Sequence, residues 1–192
     1  FNYTPPARLD PKTGETKQWR WPYRAEEGSP QPTGARTMMG PDHKGRFYIG
    51  NQAQDGLVVF DPSTQQFTFV DPPGGGEMID VSASHVDNHG WRTQGGAAYR
   101  IDLDTWHYTA IKGPRPLSAY DIAADSKNNL YGAARASRYV WRVDAKTQQV
   151  SYYDIPDKPR GVGGGGGGGR GGVTVGQGRA WGGGFDGKFI GL

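Results

Sequence analysis

The chain has 192 residues, a formal net charge of +3, and a composition that is 34% hydrophobic and 12% aromatic. It contains no cysteine, which excludes disulfides, thiolate nucleophiles, cysteine-ligated metals and haem attachment through a CxxCH motif. No apolar run approaches the roughly 20 residues that cross a bilayer, and the basic residues are dispersed, so we expect neither a membrane span nor a nucleic-acid partner.

Four segments share the pattern apolar-Asp-x-x-Thr. In chain order they are LDPKT from Leu9, FDPST from Phe60, IDLDT from Ile101 and VDAKT from Val143. Each is followed by alternating polar and apolar residues, which is typical of a half-buried strand. Three of them are also preceded by a strand-like run: GLVVF, AAYRI and YVWRV. The pattern therefore predicts a repeated β-hairpin.

The chemistry of the repeated pattern supports a turn rather than a reactive site. The carboxylate of Asp accepts hydrogen bonds from N–H groups two or three residues further on, and Thr adds a second local bond. We therefore expect a hairpin connection of four or five residues. Asp10, Asp61, Asp102 and Asp144 are interpreted as turn formers, not as catalytic acids or ligands.

A second element repeats upstream of the first. Its copies are GPDHKGRFYIG, HVDNHGWRTQ, ADSKNNLYGA and VGQGRAWGG, each read as strand, polar turn and a strand carrying an aromatic residue. Together the two elements make four antiparallel strands in about 41 residues, the size of one propeller blade. The sequence therefore predicts an all-β propeller with very little helix.

The repeats divide the single predicted domain, 1–192, into blades. We predict a half blade at 5–24, full blades at 33–73, 76–113 and 117–156, a glycine-rich inter-blade loop at 157–172 and a partial blade at 173–192. Two architectures fit this pattern. One is a segment of a six- to eight-bladed ring, which we favour, and the other is a closed four-bladed ring whose terminal half blades pair.

The inter-blade segment contains seven consecutive glycines, Gly163 to Gly169. One interpretation is a flexible surface loop. The other is that these letters stand for side chains that were never assigned, in which case the segment carries no chemical information.

The blade pattern resembles that of the virginiamycin B (streptogramin) lyase family of β-propellers. The stretches that carry the resemblance are PKTGETKQWRWP from Pro11 and DSKNNLYGAARASRYVWRVDAKTQQVSYYDIP from Asp125. The resemblance implies a seven-bladed ring in which an inner-strand His, with a Glu and a His after the second strand, surrounds Mg²⁺ and opens a cyclic ester by elimination.

The residues of this chain at the family's catalytic positions do not match that set. The inner-strand histidine position holds Thr37, Ile79 or Asp80, and Tyr120, and the glutamate position holds Asn51, Gln94 and Ala134. Amides can bind a ligand but cannot accept a proton at neutral pH. We therefore expect no cofactor beyond the Mg²⁺ that the resemblance implies, and no catalytic residue in these blades.

A weaker resemblance links LDPKTGETKQW, ending at Trp19, to the tryptophan-docking motif of quinoprotein dehydrogenases. The other three units lack the glycine of that motif. Quinone-dependent oxidation is therefore the least favoured function.

His85, Asp87 and His89 form an HxDxH pattern that could ligate a divalent metal on one face of a strand. In the repeat alignment, however, Asp87 to His89 fall in the turn between the first and second strands. We favour the turn over a metal site.

Propellers usually bind ligands on the face formed by the inter-blade connections and the second-to-third strand connections. We expect this face to collect arginine, amide and tyrosine side chains: Arg36, Asn51, Gln52, Gln94, Tyr120, Arg135 and Arg138. Such groups suit an anionic or carbonyl-rich ligand, or a protein surface. We therefore predict a binding or scaffold module, with a metal-assisted lyase or hydrolase as the alternative.

The start of the chain at Phe1 rather than methionine suggests a processed protein, periplasmic or secreted, or a piece of a longer chain.

Overall fold

The computed structural model describes residues 6–19, 35–51, 56–70, 79–119, 121–133, 139–154, 173–176, 179–183 and 189–191. Within these ranges the chain forms seventeen β-strands in five antiparallel sheets. None of the described residues is helical. No helix that could cross a membrane is found among them.

Sheet 1 consists of β1 (Ala7–Leu9) and β2 (Thr16–Gln18). Sheet 2 consists of β3 (Ala35–Met39), β4 (Phe47–Asn51), β5 (Gly56–Asp61) and β6 (Gln66–Val70). Sheet 3 consists of β7 (Ile79–Asp80), β8 (His89–Gln94), β9 (Ala97–Asp102) and β10 (Tyr108–Ile111).

Sheet 4 consists of β11 (Ile122–Ala124), β12 (Leu130–Ala133), β13 (Tyr139–Val143) and β14 (Val150–Asp154). Sheet 5 consists of β15 (Val173–Gly176), β16 (Arg179–Gly183) and β17 (Phe189–Gly191). In every sheet the strands are hydrogen-bonded in the order in which they occur in the sequence. The predicted four-stranded antiparallel unit is therefore confirmed in sheets 2, 3 and 4.

The core consists of apolar layers between successive sheets. Sheets 1 and 2 enclose a cluster that includes Trp19, Ile49 and Phe60. Larger clusters lie between sheets 2 and 3 and between sheets 3 and 4, and they contain the fully buried aromatic residues of the second strands, Tyr48 and Trp91. The inner strands of neighbouring sheets also meet, because β11 contacts both β7 and β15.

The alternation along each second strand assigns its residues to two layers. Tyr48 and Trp91 point towards the next sheet, whereas the following residue points back towards the previous one. That following residue is Ile49 on β4, Arg92 on β8 and Gly132 on β12. The three positions are equivalent, because each pairs with an inner-strand residue on one side (Met38, Ile79, Ile122) and a third-strand residue on the other (Val58, Tyr99, Trp141).

Among the described strands, neither strand of sheet 1 pairs with any strand of sheet 5. Within the described strands, the pairing of terminal half blades that a closed four-bladed ring requires is therefore not formed. The predicted blade limits stay predictions, because several of them fall between the described ranges, as does the glycine tract Gly163 to Gly169.

Candidate functional site

The four Asp-x-x-Thr turns use their carboxylates internally. In each turn, Oδ1 accepts hydrogen bonds from the N–H groups two and three residues further on. These distances are 2.8 and 3.3 Å at Asp10, 2.8 and 3.4 Å at Asp61, 2.9 and 2.8 Å at Asp102, and 3.1 and 2.9 Å at Asp144. In three of the turns, the threonine hydroxyl oxygen accepts a further N–H at 3.2 to 3.4 Å. The predicted turn chemistry is confirmed.

These hydrogen bonds also determine the acidity of the turn carboxylates. The N–H of Thr147, followed by the Arg142 guanidinium and further turn N–H groups, lowers the pKa of Asp144 to about 2. Hydrogen bonds from Ser63 and Thr64 lower the pKa of Asp61. Groups held ionised in this way stabilise turns and are poor general acids near neutral pH.

The first-to-second strand turns of sheets 2 and 4 contain a second type of structural carboxylate. Asp42 is buried and accepts hydrogen bonds from the N–H groups of Lys44 and Arg46, each at 2.9 Å, and from the Tyr48 hydroxyl at 2.8 Å. Burial alone would raise the pKa of Asp42, but these hydrogen bonds and the Arg46 guanidinium outweigh burial and lower it. Asp125 accepts the equivalent bonds in sheet 4 from Lys127 and Asn129.

In sheet 3 the predicted HxDxH residues lie where β7 joins β8. His85 is exposed in the turn, Asp87 is half-buried near its end, and His89 is the first residue of β8. Asp87 is already engaged: its Oδ2 accepts from Arg100 at 2.7 Å, and its Oδ1 accepts from Asn128 Nδ2 at 2.8 Å and from His89 N–H at 3.1 Å. In the part of the chain that the structure describes, no three His, Asp or Glu side chains are arranged to hold a metal ion.

Asn128 links sheets 3 and 4 at this end of the molecule. It accepts a hydrogen bond from Trp91 Nε1 at 2.9 Å through its carbonyl oxygen and at 3.0 Å through Oδ1. Its Nδ2 donates to His89 O at 3.1 Å as well as to Asp87. The turn of one sheet is thus fastened to the turn of the next, which is an architectural role.

The opposite ends of the second strands form what we call the strand-end face. The N–H of His43 donates to Ser84 Oγ at 3.0 Å, so the first-to-second strand turns of sheets 2 and 3 lie side by side. The C-terminal ends of β4 and β8, at Asn51 and Gln94, therefore both lie on the other face. Arg36 lies in the bulge between Ala35, which pairs with Asn51, and Thr37.

The connection from sheet 3 to sheet 4 also lies on the strand-end face. The N–H of Leu117 donates to Gly96 O at 2.9 Å, which packs the connection over the β8–β9 turn. Gln94 and Ser118 are exposed there. Neither side chain has a hydrogen-bond partner among the described residues. Four predicted members of this face, Gln52, Tyr120, Arg135 and Arg138, lie outside the described residues.

At the inner strands the structure places two carboxylates that the sequence did not single out as a pair. Asp80 accepts the N–H of Ser82 at 2.8 Å and that of Ala124 at 2.6 Å, so it joins β7 to β11. Burial, together with the negative charge of Asp80, raises the pKa of Asp121, which precedes β11. At the lyase family's metal positions the described residues are Thr37, Ile79 or Asp80, Asn51 and Gln94, while Tyr120 and Ala134 lie outside the described residues. None of these residues is a histidine or a glutamate, so they do not fit a His–Glu–His magnesium set.

Arg92 is the second feature that the sequence did not reveal. It is only 1% exposed. Its three side-chain nitrogens are buried and have no hydrogen-bond partner among the described residues. Burial lowers the pKa of Arg92 from its ordinary value, but a guanidinium remains protonated in proteins. The chain therefore holds a positive charge inside the layer between sheets 2 and 3.

Searches of solved structures returned β-propellers. A streptogramin B lyase structure is 17% identical over 94% of this chain and 59% of that chain, with a TM-score of 0.66. Virginiamycin B lyase from Staphylococcus aureus is 14% identical over 81% of this chain and 54% of that chain, with a TM-score of 0.59. The chain has the β-propeller fold of these lyases.

Another similar structure is the extracellular domain of the one-component system protein BT4673 from B. thetaiotaomicron, 14% identical over 91% of this chain and 23% of that chain, with a TM-score of 0.58. No family model and no curated protein sequence matches the chain. The chain spans somewhat more than half the length of the lyase structures. Identities this low indicate the fold, which is shared by proteins with unrelated activities.

Proposed function

We propose that the chain is part of an extracytoplasmic binding module that presents the strand-end face to a small ligand or a protein partner. The observation that carries this proposal is the contrast between the two faces. The opposite face carries the first-to-second and third-to-fourth strand turns, and we call it the turn face. There, the carboxylates of Asp42, Asp87 and Asp144 accept hydrogen bonds from turn N–H groups and arginines. On the strand-end face, the side chains of Gln94 and Ser118 are exposed and have no hydrogen-bond partner among the described residues.

The strand-end face also has a suitable shape. The β8–β9 turn consists of Gly95 and Gly96, both with positive φ (58° and 79°). The side of Gly95 is open, because a Cβ there would meet nothing within 4 Å, whereas Pro116 lies 3.6 Å from the Cβ position of Gly96. An incoming carbonyl or carboxylate can reach the amide of Gln94 and the hydroxyl of Ser118 beside it. Both groups donate and accept hydrogen bonds, which favours a carbonyl-rich or anionic ligand.

The proposal can be tested by NMR on the ¹⁵N-labelled chain with sodium citrate and hexaglutamate peptide as probes. We expect amide shifts at Gly95, Gly96 and Ser118 that saturate with probe concentration. The variant Gln94→Trp should block the face and abolish the shifts, whereas Lys146→Trp on the turn face should leave them intact. Shifts confined to the turn face, or no shifts with either probe, would refute the proposal.

A metal-assisted lyase or hydrolase is a second candidate, favoured by the structural similarity to two lyases and by the fact that the chain covers only 54% and 59% of them. In this case the catalytic His and Glu would belong to blades other than those described. Titration with MgCl₂ distinguishes the two candidates. A magnesium ion on the propeller axis, ringed by His and Glu, would overturn the binding module. The absence of saturable Mg²⁺ binding in the full-length protein would reject the lyase.

A further inference from the structure

We propose that the layer between sheets 2 and 3 contains a carboxylate-binding site whose recognition group is Arg92. The site opens on the strand-end face, so the inference rests on the proposed binding function and specifies the chemistry of its ligand. The ligand would insert a single carboxylate between the two blades, with Gln94 at the rim and Arg92 at the bottom.

The guanidinium of Arg92 lies in a layer whose other side chains are mainly apolar and aromatic. Arg92 shares its face of sheet 3 with Ile79 and Tyr99, its partners across the two neighbouring strands. The opposing side of the layer is formed by Tyr48, Leu57, Val59 and Val70 of sheet 2. A charge buried among such groups is strongly unfavourable unless an opposite charge and hydrogen bonds compensate it.

The other partly buried arginines of the described residues all have carboxylate partners. Arg46 pairs with Asp42 at 2.8 Å, Arg100 with Asp87 at 2.7 Å and Arg142 with Asp144 at 2.8 Å. Arg92 is more deeply buried than any of them, yet no described residue supplies it with a carboxylate. A missing anion is the simplest explanation for such an orphaned group.

The fold does not require a charge at this strand position. The equivalent residues of the neighbouring sheets are Ile49, which is 1% exposed, and Gly132. An apolar side chain, or none, completes the layer in those two blades. Arginine at the third position therefore calls for an explanation other than architecture.

The geometry of β8 provides a route to the guanidinium. Arg92 and Gln94 are two residues apart, so they project from the same face of the strand, about 7 Å apart along it. Gln94 is exposed, whereas its strand partner Ala97 is only 2% exposed. A carboxylate that follows this side of the strand from the rim must therefore displace the groups that cover Ala97 before it reaches the buried arginine.

Charge balance selects a carboxylate over a phosphate. One guanidinium offers a planar pair of donors that matches the two oxygens of a carboxylate. The resulting pair is neutral, whereas a phosphate dianion would leave a net negative charge in an apolar layer.

The direct test follows the Nε–Hε signal of Arg92 in the ¹⁵N-labelled chain, identified by its loss in Arg92→Leu. Sodium formate and sodium acetate are titrated at constant ionic strength against sodium chloride. We expect a saturable shift of this signal, and an increase of about 3–6 °C in Tm at ten times the Kd. Inorganic phosphate should give a smaller response at the same concentration.

Two variants control the experiment. Arg92→Lys should weaken the response, because an ammonium group lacks the planar fork, and Arg142→Leu should keep it, because Arg142 already has its own carboxylate partner. Arg92→Leu should lose the response and, without anion, melt at a higher temperature than the original chain.

Each of two results would overturn the inference. A lower Tm of Arg92→Leu without anion, combined with no carboxylate response of the original chain, would mean that an acidic side chain elsewhere in this chain neutralises Arg92. An unshifted Nε–Hε signal in both formate and acetate would mean that the layer is closed to ligands. The citrate-induced shifts at Gly95 and Ser118 test the binding function separately, since they can persist in Arg92→Leu.

Discussion

The two layers that flank sheet 3 differ in whether a large buried polar side chain has a hydrogen-bond partner among the described residues. In the layer between sheets 3 and 4, the buried indole of Trp91 donates to Asn128, and Asn128 donates in turn to Asp87. In the layer between sheets 2 and 3, the guanidinium of Arg92 has no described partner. A buried polar group with partners holds two blades together, whereas one without partners must be explained by something that binds to it.

The largest expected effect comes from removing the partnered group. Trp91→Ala deletes a side chain that is fully buried between sheets 3 and 4 and should lower the free energy of unfolding by about 3–5 kcal/mol. Urea denaturation measures the change. Trp91→Phe keeps most of the bulk and loses only the N–H, so it should cost clearly less. Equal losses for the two variants would contradict the expectation that packing, rather than the indole hydrogen bond, provides most of the stabilisation.

The next largest effect concerns the residue that accepts the indole N–H. Asn128→Ala leaves the donor of Trp91 without its Oδ1 partner and places Ala at a φ of 59°, so we expect a loss of about 2–4 kcal/mol. Asn128→Gly removes the same hydrogen bonds without the strain and should lose about 1 kcal/mol less. The difference between the two variants in urea denaturation isolates the backbone contribution, and a glycine variant less stable than the alanine variant would contradict it.

The variant Gly132→Ala tests why glycine occupies the position of sheet 4 that is equivalent to Arg92 in sheet 3. A Cβ at this residue would overlap the Trp141 ring, which lies across it. Gly132→Ala should therefore lose about 1–3 kcal/mol on thermal or chemical unfolding. The double variant with Trp141→Phe removes the overlapping atoms, and its loss should be smaller than the sum of the two single losses. Simple additivity would show that the ring does not determine the choice of glycine.

The smallest effect concerns a partnered charge on the turn face. The folded pKa of Asp144 is about 2, below the ordinary aspartate value of 3.8. The stabilisation from this carboxylate is therefore complete above about pH 4 and is lost as pH falls towards 2. An NMR titration of the Asp144 carboxyl carbon should give a midpoint near pH 2. The stability difference from Asp144→Asn should shrink over the same interval, and a midpoint near 3.8 would contradict this assignment.

The sequence predicted the parts of the molecule that depend on local chemistry. Asp10, Asp61, Asp102 and Asp144 could be assigned to turns because their hydrogen-bond donors lie two and three residues away. The alternation of the flanking strands then gave the four-stranded unit. One local feature was missed: the residue after the threonine has a positive φ in all four turns, although it is glycine only in the first. These residues are Gly14 (76°), Gln65 (58°), Trp106 (62°) and Gln148 (58°). The turn hydrogen bonds retain this conformation without glycine.

The sequence did not predict the features that depend on contacts between sheets. Arginine is usually exposed, so nothing local to Arg92 indicates burial. Asn128 looks like an ordinary turn residue until the neighbouring Trp91 is brought to it. The pairing of Asp80 with the N–H of Ala124 likewise joins residues 44 positions apart. Of the predicted ligand face, Gln94 is exposed, Gln52, Tyr120, Arg135 and Arg138 lie outside the described residues, and the role of this face stays a prediction.

The strand order within the sheets has a consequence for how the protein forms. Every described pairing joins strands that are consecutive in the sequence, so each sheet closes only short loops as it folds. Contacts between sheets then connect each sheet mainly to its neighbours. A blade can therefore form its backbone hydrogen bonds early, but it becomes stable only when the next blade packs against it. The Trp91–Asn128 link would then form late in folding, and the protection of backbone amides from hydrogen exchange should increase from the edge sheets towards sheets 3 and 4.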